Sequence, residues 1–159
     1  MASRAADTDT VTPPWAYSLQ LPRDPRAPGI ARSTLRAVLR AHGMGELTET
    51  AELLTSELVT NAHLYSDGPY TLRLDAHHPD RLRVGVWDSN PDVPPPFNGG
   101  LPALPVPGGP AERGRGLQLV RLCADSWGAY RPRTRVEGAG KLLWVECVRK
   151  AECRWGDLS

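Results

Sequence analysis

Trp15, Tyr17, Leu19 and Leu21 alternate with small or polar neighbours, the period-two pattern of a strand with one buried face. Asp24-Pro25 follows as a helix start, an N-cap side chain ahead of a proline whose missing amide costs nothing in a first turn. Ala31, Leu35, Val38 and His42 then recur at helical spacing until Gly43 and Gly45 end the element. A second helix is predicted from about Thr48 to Leu64, because Leu47, Ala51, Leu54, Leu58 and Ala62 form one apolar stripe. Leu72, Leu74 and Ala76, then Leu82, Val84 and Val86, alternate on either side of His77-His78-Pro79-Asp80, which reads as a hairpin.

From Pro91 to Pro110 this periodicity stops. Eight prolines and four glycines occupy those twenty positions, and a structureless loop of that length inside a domain usually serves as a lid or binding loop. Gly114 to Gly128 opens with glycines and becomes an apolar helix through Leu117, Leu119, Val120, Leu122 and Ala124. Two last strands, near Ala129–Thr134 and Lys141–Val148, flank a turn at Gly138-Ala139-Gly140. The order predicts an α+β fold: a two-layer sandwich of a mostly antiparallel mixed sheet, three helices on one face, and a long Pro/Gly-rich lid. The expected organisation is a flexible segment over 1–14, one domain over 15–148 and a peripheral tail over 149–159.

Composition narrows the function classes. The chain has 159 residues, a hydrophobic fraction of 40% and a charged fraction of 23%, which suits one globular domain. Its formal charge of +1 lacks the basic excess of a nucleic-acid module, so no direct nucleic-acid partner is expected. No apolar run approaches the roughly 20 residues needed to cross a bilayer. The start, MASRAADTDTVTPP, has no signal-peptide core, so a cytoplasmic location is expected. Cys123, Cys147 and Cys153 are odd in number and lack CxxC spacing, which fits unpaired thiols in a reducing compartment. The tryptophans read as packing residues, and His63, pointing away from the second helix's stripe, reads as exposed.

Three places carry candidate chemistry. Glu57 and Asn61 are one helical turn apart at the edge of the apolar stripe, where a carboxylate and a carboxamide could hold a hard cation and prepare a nucleophile. By itself, a Glu-x-x-x-Asn pair is most often a solvated polar flank. Asp88 continues the inward phase of residues 82, 84 and 86, so its carboxylate aims at the buried layer and needs a donor. Both an adenine amine and a backbone amide of the Ser89-Asn90-Pro91 turn would serve. Gly114-Arg115-Gly116 opens a helix, whose free amides and dipole suit phosphate oxygens, with Arg115 adding charge. A lone Gly-x-Gly is usually a turn, but the three features in this order describe one nucleotide pocket.

Ser56-Glu57-Leu58-Val59-Thr60-Asn61-Ala62, Val86-Trp87-Asp88 and Gly114-Arg115-Gly116-Leu117-Gln118-Leu119-Val120 resemble three boxes of the Bergerat ATPase superfamily. Their spelling is closest to the anti-sigma-factor serine/threonine kinases, and the likeness covers roughly residues 15–148. The resemblance implies ATP and Mg2+ as cofactors, Glu57 as the general base, and Asn61 as the magnesium ligand. It implies that Asp88 binds the adenine amine, and that Asn90, Gly114, Arg115, Gly116 and Leu117 complete the cofactor-binding set. It also implies a sigma factor and an antagonist protein as partners, with a homodimer as a candidate assembly. A non-catalytic, nucleotide-dependent binding module is the alternative. A histidine kinase is disfavoured, since no helix pair upstream carries a phospho-accepting histidine and His42 reads as a helix cap. Three departures stand out: Asn90 replaces a frequent glycine, Leu64-Tyr65-Ser66 replaces Arg-His-Ser, and Leu142 replaces a threonine after Gly140-Lys141. The last two remove a cation and a hydroxyl, and the lid has no Lys or Ser.

Overall fold

The alternating segments become strands and the apolar stripes become helices. The computed structural model describes residues 14–99, 117–132 and 140–150. In chain order these form β1 (Trp15–Leu21), α1 (Ala27–Ala41), a 3-10 turn (Gly45–Leu47), α2 (Thr48–Tyr65), β2 (Tyr70–His78), β3 (Arg81–Asp88), α3 (Gln118–Cys123), β4 (Ser126–Tyr130) and β5 (Lys141–Val148). The sheet order is β1-β2-β3-β5-β4. All four pairings are antiparallel, so the mixed character expected of the sheet is absent among the described residues.

One core joins sheet and helices. Leu72 and Leu74 of β2, Leu82, Val84 and Val86 of β3, and Leu143, Val145 and Cys147 of β5 are buried with Leu54, Leu58 and Ala62 of α2 and Ala31 and Leu35 of α1. Cross-strand register explains the shared face: Val86 lies opposite Leu143, Val84 opposite Val145 and Leu82 opposite Cys147. Helix α2 packs on β2, β3 and β5, and α1 and α3 pack on α2. α1 ends in a Schellman arrangement: Gly43 has φ 69°, and the amide of Met44 donates to Leu39 O at 2.8 Å.

Several expectations need correction. Asp24 does not cap α1; that place belongs to Arg26, which gives no side-chain cap. The Asp24 carboxylate instead accepts the Arg26 amide at 2.8 Å and pairs with its guanidinium, which holds the carboxyl well below the usual range. The helix predicted to reach Gly128 stops at Cys123. Asp125 ends it, its amide donating to Glu146 O and its carboxylate accepting the Val148 amide, so the chain joins β5 early. Gly128 is therefore a strand residue opposite Trp144, where a Cβ would come within 2.5 Å of the indole. His63 is half-buried, its ring packed edge-on against Tyr70 with Nδ1 3.4 Å from the hydroxyl. The His42 ring is more than a cap: it stacks on Trp15 at 4.3 Å, with Nε2 2.8 Å from the Tyr17 hydroxyl. Arg149, expected in a peripheral tail, donates to Gly43 O and pairs with Glu46. The segment over 1–13, the lid from 100, residues 133–139 and the chain after 150 lie outside the described residues. No helix among the described residues is long and apolar enough to cross a membrane.

Candidate functional site

Glycine permits the closest approach in the sheet. A Cβ on Gly140 would lie 2.8 Å from the carbonyl oxygen of Asp88 and 2.6 Å from the Trp87 ring, so only glycine lets the chain enter β5 so near the end of β3. The next residue, Lys141, then stands directly opposite Asp88 on the core side. Both are almost fully buried, Asp88 at 1% and Lys141 at 1% exposure. The inward phase read for Asp88 is therefore correct.

The Asp88 carboxylate already has donors. Lys141 Nζ lies 2.9 Å from Oδ1 and 3.2 Å from Oδ2, and the Asn90 amide donates to Oδ1 at 2.8 Å. The turn-amide alternative is thus realised, together with a cation that the sequence reading missed. The missed signal was available: Lys141 shares the phase of Leu143, Val145 and Cys147, the same argument that turned Asp88 inward.

Asn90 joins this strand end to α2. Its Nδ2 donates to Tyr65 O at 2.7 Å, its Oδ1 accepts the Asp92 amide at 2.9 Å, and its own carbonyl accepts from Lys141 Nζ at 2.8 Å. No described non-glycine residue has positive φ, so Asn90 holds this turn in ordinary backbone, where the resemblance favours glycine. Its side-chain bonds lie within the protein.

Tyr65 closes a row along α2. Glu57, Asn61 and Tyr65 are each four residues apart, so they share one side of the helix over about 12 Å. Asn61 is 8% exposed, and its carboxamide has no hydrogen-bond partner among the described residues. Glu57 is half-buried and likewise without a hydrogen-bond or ion-pair partner there. Burial pushes its pKa up, because the charged form loses hydration. A carboxamide without a partner among the described residues, one turn from a carboxylate of raised pKa, is an oxygen-rich edge suited to a hard cation and to proton transfer.

The remaining predicted residues are placed less fully. Leu117 is buried at the start of α3 and packs in the core. Gly114, Arg115 and Gly116 lie outside the described residues. The start of the loop predicted to be a lid is described: Phe97 is buried, and its amide donates to Pro94 O in a turn containing a cis Pro95-Pro96 bond. A cleft of about 660 Å³ lined by Glu46, Cys123, Asp125, Cys147 and Arg149 sits at the opposite end of β5 from Lys141, away from this row. No group of three metal-ligating His, Cys, Asp or Glu side chains occurs among the described residues.

These features define a class: an α+β domain in which a strand-end carboxylate and the polar row of a long helix are tied together by one asparagine. The family model of the histidine kinase-like ATPase domain matches residues 21–145, and the chain belongs to that family. Membership supports ATP as the class of ligand. No curated protein matches the chain.

Proposed function

We propose that the chain binds ATP with Mg2+ and acts as a serine/threonine protein kinase of the anti-sigma-factor type, phosphorylating a serine of an antagonist protein and binding a sigma factor. The observation that carries this reading is the contrast within one cluster. Asp88 is buried and fixed, while Glu57 and Asn61, on the helix to which Asn90 ties it, have no hydrogen-bond partner among the described residues.

Asp88 would accept the exocyclic amine of adenine, and the Asn61 carboxamide oxygen would hold Mg2+. The ion supplies charge neutralisation among the phosphates, the main demand of phosphoryl transfer. Glu57 accepts the proton of the substrate serine hydroxyl as its oxygen bonds to the γ-phosphorus, and ADP leaves with the electron pair of the broken bond. A raised pKa suits that task, since a base nearer the working pH moves a proton more readily. Gly114, Arg115 and Gly116 would meet the phosphates, as the sequence pattern suggests.

The test is incubation with labelled ATP and candidate antagonists encoded by neighbouring genes. Transfer of label to serine, abolished by Glu57→Ala, is expected. ATP binding without transfer, with sigma-factor regulation surviving Glu57→Ala but lost in Asn61→Ala, would instead establish the non-catalytic module.

A further inference from the structure

Lys141 turns its ammonium to the strand end, 2.9 Å from Asp88 Oδ1, 3.2 Å from Asp88 Oδ2 and 2.8 Å from Asn90 O. The two carboxylate oxygens share one of its N–H donors and the carbonyl takes another. The carboxylate offers about four lone-pair sites. Two on Oδ1 are taken, by Lys141 and the Asn90 amide, and one on Oδ2 is taken by Lys141. Among the described residues a single acceptor site is left, on Oδ2.

We infer that Lys141 is a positioning residue for base selection, turning Asp88 so that its one open acceptor on Oδ2 is presented to a purine bearing an exocyclic amine. This rests on the reading of Asp88 as the base-contacting group and adds what makes it selective. Without a fixed orientation, a carboxylate rotates and meets donors from many directions. Held at Oδ1 by two donors, it offers one acceptor in one direction, and a keto purine presents an oxygen there in place of an N–H. Two buried like-polarity groups then face each other unpaired, the situation in which polar sites discriminate best. The glycine at 140 belongs to the same device, since its missing Cβ brings Lys141 into register with Asp88.

The experiment is calorimetric titration of the full chain with ATP and with inosine triphosphate, whose base lacks the amine, each with Mg2+. The wild type is expected to prefer ATP by about tenfold or more. Lys141→Met is expected to bring the ratio close to one by weakening ATP, with inosine triphosphate affinity retained as the internal sign of a folded pocket. Asp88→Asn provides a second arm that keeps Lys141. Its carboxamide oxygen serves the two donors at the Oδ1 place while Lys141 gives up its longer contact at Oδ2, which puts the NH2 toward the base and inverts the preference to inosine triphosphate. A wild type without ATP preference overturns the role of Asp88 and this inference with it. A wild-type preference that persists in Lys141→Met, or an Asp88→Asn variant that still prefers ATP, overturns the role of Lys141 alone.

Discussion

The two sides of the cluster treat their polar groups in opposite ways. At the strand end, Asp88, Asn90 and Lys141 satisfy one another through bonds of 2.8–3.2 Å, with Asp88 and Lys141 sealed from solvent. On α2, Asn61 is buried yet has no partner among the described residues, and burial raises the pKa of Glu57 because its charged form loses hydration. The Asn61 and Glu57 side chains are thus left with polar atoms that no described residue engages, in contrast to the paired strand end. The strand end is built in advance, and the helix side is left open, which is the arrangement the proposed roles in base selection and in holding Mg2+ and phosphates call for.

That contrast can be broken from either side. The largest effect is expected at the strand end. Lys141→Met leaves Asp88 buried without its cation and should cost about 3–5 kcal/mol of unfolding free energy. Gly140→Ala forces the same pair apart through the backbone and should be comparably damaging. Urea unfolding measures both. On the helix side the same measurement should barely change for Asn61→Ala, which removes no hydrogen bond to a described residue; a loss as large as that of Lys141→Met would erase the distinction.

Next comes transfer chemistry. Glu57→Gln should lower phosphoryl transfer by about 10²–10⁴-fold, the usual contribution of a general base, while ATP affinity stays within about twofold. Single-turnover kinetics separates the two. The bridge between the sides is weaker. Asn90→Ala removes the bonds to Tyr65 O and from the Asp92 amide and should cost about 1–3 kcal/mol, read as a lowered melting temperature.

The smallest effect is electrostatic. Glu57 has a folded pKa above its unfolded one, so the folded chain holds the proton more tightly. The resulting stabilisation is complete below the ordinary carboxylate range and is lost as pH rises through the raised folded value. Glu57→Gln should therefore be slightly more stable than wild type at neutral pH, with the difference vanishing in acid. The transfer rate should run the other way, rising as Glu57 deprotonates. Thiol reactivity gives a control remote from the site: burial pushes the Cys147 thiol up to about 12, so Cys123 should alkylate before Cys147 at neutral pH.

Much of this was legible in the residues. Period two over Leu82, Val84 and Val86 placed Asp88 inward, and four-residue spacing placed Glu57 and Asn61 on one side of α2. Pairwise relations across the sheet were harder to read. A lysine after a glycine-bearing turn looks like a solvated strand start, and only its register with Asp88 shows otherwise. Gly128 read as a helix end because its partner, Trp144, lies sixteen residues on and meets it only across the sheet. Asn90 looked like an imperfect glycine; its use lies in its side chain, which reaches a carbonyl on another element.

The central claim is tested most directly by thermal shift of the full chain titrated with ATP and Mg2+, alongside Asp88→Ala. Saturating nucleotide at about a hundred times Kd should stabilise the wild type by about 2.7 kcal/mol and raise its melting temperature. The Asp88→Ala chain, still folded by its own baseline transition, should show little or no shift. A wild type that melts at the same temperature with and without nucleotide would contradict the account.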